Sequence, residues 1–358
     1  MIFEFICLTK CIFAQSNCPL IGAIRWDAWH GEKGKVGSHV EKVLSSPKWR
    51  YRLPFCSKVI DGRVTIDCSN PKVIQEEIHY ARRAKLDYWA FLFYEPESEM
   101  NLQLNLYLNS PDKSLIKFAI ILQPGRLNPQ NFKEINSYIV RLIKNMNYLQ
   151  IDGKPVIFIF NITKWKDRIS KVWNEIENFR SQALGDLTKK IVSIAGSKPY
   201  YVIMEFNPER AAFWADLLGL DAITAYATHP DRPGKFEDLA RHTINYWEIA
   251  KNTGKTVIPI VMMGWDPRPR VEYPAPWQNR KYIEKAEQVY FTPPTSEELK
   301  EYLQKSIKWA IENKSPAILI YAWNEFDEGG WLMPTLSEGN LRIEALREVI
   351  VKECVNER

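Results

Sequence analysis

Apolar residues in this chain come in blocks. Eight β-rich runs recur at Leu20–Trp26, Asp87–Tyr94, Lys117–Gln123, Pro155–Phe160, Tyr200–Phe206, Asp221–Tyr226, Thr256–Gly264 and Ala317–Trp323. Between most of them the apolar positions return at helical spacing, over Pro71–Lys85, Gln130–Leu149, Lys164–Leu184, Pro208–Leu218, Lys235–Asn252 and Ser296–Asn313, and Leu341–Val351 follows the last run. Pro208 at the start of its helix and the Thr295-Ser296-Glu297-Glu298 capping pattern mark two of the beginnings. Strands that are apolar throughout and alternate with helices imply a parallel sheet covered on both faces. Eight of them imply a single closed (β/α)8 barrel, the TIM-barrel fold. An open doubly wound sheet is the competing arrangement, but no Gly-rich turn follows the first run, and neither a GxGxxG nor a phosphate loop occurs. Two long irregular stretches follow strands: His30–Asn70 after the first and Asp266–Pro294 after the seventh. Long loops at that end of a barrel usually bind ligands.

Composition narrows the partners. With 358 residues, 46% of them hydrophobic, the chain can bury a large core, and a net charge of +5 spread over interleaved acids and bases disfavours a nucleic-acid groove. No apolar run reaches the length of a membrane span. Thirteen Trp and sixteen Tyr exceed what a core requires, and flat amphipathic rings suit stacking on sugars. The first 18 residues, with small side chains near Ala14-Gln15-Ser16, read as an export leader ahead of a barrel domain over residues 19–354, and hence as a periplasmic or extracellular protein, although Lys10 interrupts the apolar stretch. The six cysteines lack histidines at metal-ligand spacing. Cys56 and Cys68 bracket a short loop and could bridge in an oxidising compartment, with two free thiols as the alternative, while Cys7, Cys11 and Cys18 lie in or beside the leader and Cys354 near the end. Asn161-Ile-Thr and Asn313-Lys-Ser match the glycosylation triplet, a short pattern that often arises by chance.

The chemistry concentrates where strands end. Residues just after each barrel strand converge on one mouth, and here they are Trp26 and Asp27, Tyr94 and Glu95, Glu205, Tyr226 and His229, then Trp265, Asp266, Arg268 and Arg270. The eighth run supplies Trp323, Asn324, Glu325 and Glu328, with Trp331 beyond the turn. In a regular strand Glu325 and Glu328 would face opposite sides, so a working pair requires the chain to leave the strand near Asn324 and turn at Gly329-Gly330. Two carboxylates with amides and aromatic rings describe a carbohydrate site, since glycosidic cleavage needs a general acid, a second carboxylate and stacking platforms. Plainer readings compete: a solvated acidic loop for Glu325 and Glu328, a helix cap for Asp27, a turn cap for His229, and a buried ion pair locking the long loop for Arg268 and Arg270. Glu205 is a rival catalytic carboxylate on position alone.

Trp323-Asn324-Glu325-Phe326-Asp327-Glu328-Gly329, followed by Pro334, resembles the WNEW-x-EG…P signature of glycoside hydrolase family 99 and its WbsX-like relatives, with Phe326 in place of the usual Trp. Asp152-Gly153-Lys154-Pro155, Gly219-Leu220-Asp221-Ala222 and Gly264-Trp265-Asp266-Pro267-Arg268-Pro269-Arg270 also match, the last especially in the WbsX-like branch. The resemblance implies a (β/α)8 endo-acting α-mannosidase or α-mannanase that retains anomeric configuration and uses no metal or other cofactor. It implies that Glu325 deprotonates the substrate's own 2-hydroxyl, which attacks the anomeric carbon, and that Glu328 protonates the leaving oxygen, with Asn324 as a hydroxyl ligand. Such an acid needs a raised pKa, for which Phe326, Trp331 and Met333 could supply apolar surroundings. The expected partner is thus an oligo- or polysaccharide. WbsX-like chains also carry a glycosyltransferase label, though no DxD metal motif is present, and a glycan-binding barrel without turnover is the third possibility.

Overall fold

The computed structural model describes residues 18–354 apart from Trp277; the segment read from the sequence as a leader lies, up to residue 17, outside the described residues. Eight parallel strands occur where the apolar runs predict them: β1 (Leu20–Arg25), β2 (Tyr88–Leu92), β3 (Lys117–Leu122), β4 (Lys154–Phe160), β5 (Tyr200–Met204), β6 (Ala222–Thr224), β7 in two pieces (Thr256–Val257 and Ile260–Met262) and β8 (Ala317–Tyr321). Each pairs with its chain neighbour, and β1 also pairs with β8. The two halves of β7 divide the labour of closing the ring. Thr256–Val257 pairs with β6 and Ile260–Met262 with β8, because Pro259 between them has no N–H to give and only accepts, from Leu319. The result is a (β/α)8 barrel in one domain.

The strands are buried almost throughout because helices cover the outer face while side chains fill the inside. The helix Pro208–Leu218 has the predicted bounds, and Ser296–Glu312 begins with the expected capping box, Thr295 and Glu298 each accepting the other's backbone N–H. Loops read as irregular contain unforeseen structure. His30–Asn70 holds the helix Lys35–Ser45 and the hairpin Ser57–Ile60/Arg63–Ile66, and Asp266–Pro294 holds the helix Arg280–Gln288. Leu102–Asn109, between β2 and β3, is a helix with little amphipathic contrast, which is why its period was not legible.

Among the described residues two disulfides form: Cys56–Cys68, of the two states open to that pair the bridged one, and Cys18–Cys354, which was unforeseen. The second ties Cys18 to the end of the last helix across 336 positions. No local pattern could reveal a bond of that span. Replacing Cys18 with Ser should lower stability by about 2–4 kcal/mol, the usual contribution of a native cross-link; denaturant melts of oxidised wild-type and variant protein measure it.

Candidate active site

β8 ends at Tyr321, and the chain then makes a small hairpin at the barrel mouth. Asn324–Glu325 pairs antiparallel with Gly330–Trp331, and the one-turn 3-10 helix Phe326–Glu328 joins them. In such a turn residues three apart eclipse one another, so Glu325 and Glu328 come to the same side, as a working pair requires. Gly329 closes the turn at φ +83°, and a Cβ there would press on the Asp266 backbone nitrogen. The adjoining Gly330 lets the Tyr321 ring lie flat beneath the hairpin.

Both carboxylates are nearly enclosed, Glu325 being 3% exposed and Glu328 8%. Phenols surround them. Tyr226 donates to Glu325 Oε1 at 2.5 Å, Tyr282 to Glu328 Oε1 at 2.7 Å, and Tyr321 to Glu328 Oε2. Burial, followed by the nearby carboxylates, pushes all three phenols well above their ordinary pKa, so they stay protonated as donors. Arg270 reaches the same place from the long loop. Its Nε donates to Asp327 at 2.7 Å, its Nη1 to Glu328, and its Nη2 lies 3.5 Å from Glu325. Burial works against the guanidinium's charge, but Asp327 and Glu328 outweigh it and hold the group firmly protonated. Burial and the charge of Glu328 drive Glu325 well above the carboxylate range, with Arg270 and Tyr226 opposing. The apolar jacket expected for Glu328 is not there. Phe326 turns away to pack on Trp29 and Trp331, and Glu328 meets a guanidinium and two hydroxyls.

The structure gathers some of the expected ligands and withdraws others. Trp26 donates to Tyr94 at 3.1 Å and lies under Arg270 at 5.0 Å; Trp265 stacks on His229 with centroids 4.6 Å apart and packs on Tyr321. These rings and Tyr226 surround the carboxylates. Trp323 is fully buried with its indole N–H on Glu77, and Trp331 is sandwiched by Arg342, so neither offers a face to a sugar. Asn324 spends its amide on the Trp26 N–H and on Asp27, pinning the end of β1 to the end of β8 rather than holding a hydroxyl. Asp27 is tied in turn by Arg25, and Asp266 by Arg52 and Arg268. The loop-locking reading therefore fits Arg268, which also stacks on Tyr290, and the buried ion pairs of Arg270 tie the same loop to Asp327 and to the carboxylate of Glu328. Glu205 is occupied as a cap, accepting the Thr163 N–H at 2.8 Å.

Beside Glu328 lies a cavity of about 210 Å³ lined by Phe206, His229, Trp265, Pro267, Tyr282 and Lys285, among others. Tyr282 and Trp265 belong to its wall as well as to the surroundings of the pair, so cavity and carboxylates form one site. Phe206, at its edge, is 51% exposed. Tyr282 and Tyr321 escaped the sequence reading, and Arg270 entered it without its carboxylate partners. Of the two tyrosines only Tyr321 left a trace, as the one hydroxyl-bearing residue at the end of an aliphatic strand.

Residues 117–346 match the model of the family described as glycosyltransferase WbsX. The chain belongs to that family. No curated protein matches it. Among solved structures, this WbsX-family chain is similar to the family 99 endo-α-mannosidase from Bacteroides thetaiotaomicron, with TM-score 0.61 and 16% identity over 95% of this chain and 98% of the other. A second structure of that enzyme, with bis-tris-propane, gives TM-score 0.60 and 16% identity over 93% and 97%. At that identity the likeness establishes the shared barrel.

Proposed function

We propose that this WbsX-family barrel is a glycoside hydrolase that cleaves an α-linked, mannan-like glycan within the chain and retains anomeric configuration. The observation that carries the reading is the enclosed pair Glu325 and Glu328, served by three phenols and one guanidinium and opening beside an aromatic-walled cavity. In the first step the substrate's 2-hydroxyl gives its proton to Glu325 and its oxygen bonds to the anomeric carbon. The bond to the leaving oxygen breaks, and that oxygen takes the proton of Glu328. Water then adds to the anomeric carbon as the bond from that carbon to O2 breaks; the water gives a proton to Glu328 and O2 takes back the proton of Glu325, which completes two inversions. The cavity beside Glu328 takes the leaving sugar, with Trp265 and Phe206 as platforms. The chemistry calls for no metal or other cofactor.

Two disulfides fit an exported protein, and a leader removed near Ser16 would leave Cys18 free to bond Cys354. No helix among the described residues is long and apolar enough to cross a membrane. The test is proton NMR of a panel of α-mannans and α-glucans incubated with the oxidised protein. The proposal expects new reducing ends that appear first as the α-anomer. Release of the β-anomer would refute retention. Transfer from a sugar nucleotide without hydrolysis would favour the glycosyltransferase named in the family's description, and binding without turnover would make the barrel a lectin.

A further inference from the structure

The donors around Glu328 come from two sources. Tyr321 belongs to the rigid barrel strand β8, whereas Arg270 and Tyr282 both ride on the Asp266–Pro294 loop. All three give hydrogen bonds to the carboxylate, Arg270 and Tyr282 to one oxygen and Tyr321 to the other, an arrangement complementary to a carboxylate without a proton. A general acid needs the opposite. It must carry a proton and turn an oxygen toward the leaving group.

We propose that Arg270 is a positioning residue that fixes which carboxylate holds the pair's single proton, keeping it on Glu325 in the free enzyme and withdrawing from Glu328 when the glycan enters. This rests on the hydrolytic reading given above. The guanidinium bridges Asp327 and Glu328 and only grazes Glu325, so it opposes a proton on Glu328 more than one on Glu325. Glu325 faces the hydroxyl of Tyr226 and, more distantly, Tyr94. His39, from the helix Lys35–Ser45, faces Asp327 and Arg270, and burial keeps it neutral, so it adds no second cation. The stack of Arg270 on Trp26 gives the withdrawing guanidinium an aromatic face to stay on. A sugar that reaches the pair must displace Arg270 and Tyr282 together, because they are on one loop. The proton then belongs on Glu328, the bare carboxylate on Glu325, and the total charge is unchanged.

The sign of the pH effect follows from the cation. A guanidinium beside the pair favours loss of its last proton, so that proton leaves at lower pH with Arg270 in place than without it. The alkaline limb of kcat/KM, which reports the free enzyme, should therefore lie below that of kcat, which reports the complex. In Arg270→Gln the kcat/KM limb should rise by ~1–3 pH units toward the kcat limb, which itself stays put. Arg270→Lys, which keeps the charge, should keep the separation. Equal limbs in the wild-type protein, a measurement that needs no variant to fold, would overturn the withdrawal. An Arg270→Gln variant with lower kcat/KM and unmoved limbs would reduce Arg270 to a structural tie and overturn the inference. An arm without substrate separates the two proposals: the infrared band of a protonated carboxyl that vanishes in Glu325→Gln should persist to higher pH in Arg270→Gln. That result in a protein hydrolysing no glycan would refute the hydrolase and uphold the hold of Arg270 on the proton. A band indifferent to Arg270→Gln overturns the inference whatever the turnover.

Discussion

Glu325→Gln and Glu328→Gln are each expected to lower turnover by at least ~10²-fold, about 2.7 kcal/mol of transition-state stabilisation, while glycan binding by calorimetry should stay close to wild type. The two losses differ in kind. A substrate whose leaving group needs no proton restores the first step to Glu328→Gln and does nothing for Glu325→Gln, because the 2-hydroxyl still lacks its base. Glu205→Gln serves as the control. Its carboxyl caps the helix Ile162–Trp173, so its replacement costs stability rather than chemistry. Activity abolished in Glu205→Gln and kept in Glu328→Gln would mean that the acid is misassigned.

The second large effect lies beneath the mouth. Arg25, fully buried, bridges Asp27 and Glu77, each at 2.8 Å, and its guanidinium stacks on Trp89. Arg25→Met leaves two carboxylates buried without a cation, and the expected cost is about 3–5 kcal/mol in a denaturant melt. Glu77 adds a pH signature. Burial outweighs the attraction of Arg25 and lifts its pKa from 4.5 to about 7. The folded state thus binds a proton that the unfolded chain has lost, and stability declines as pH rises from about 4.5 to about 7. In Glu77→Gln that portion of the pH dependence should disappear; a wild-type and variant difference in melting temperature that stays constant across this interval would contradict it.

Much of this architecture could be read from spacing alone. Eight apolar runs became eight strands because burial on both faces leaves little choice of residue. The hairpin at Gly329-Gly330 was foreseeable because a pair three residues apart cannot work from a straight strand. What escaped notice was direction. Trp323 and Asn324 stand beside Glu325 in sequence, yet the strand and its period of two end at Tyr321, and the tryptophan packs outward onto Glu77 while the asparagine ties β1 to β8. Arg270 was visible in its motif, but a buried arginine in a long loop looks the same whether it locks the loop or reaches a carboxylate 55 positions away. Tyr282 gave no signal because its partner lies 46 residues further on.

The Cys18–Cys354 bond makes the barrel a covalent circle. A single proteolytic nick anywhere between those cysteines opens a linear path but releases no fragment. A loop such as the stretch around Arg280, where the side chain is 92% exposed, can therefore be cut while both pieces remain one molecule. On a gel the nicked protein should run as one band until a reductant is added and as two afterwards.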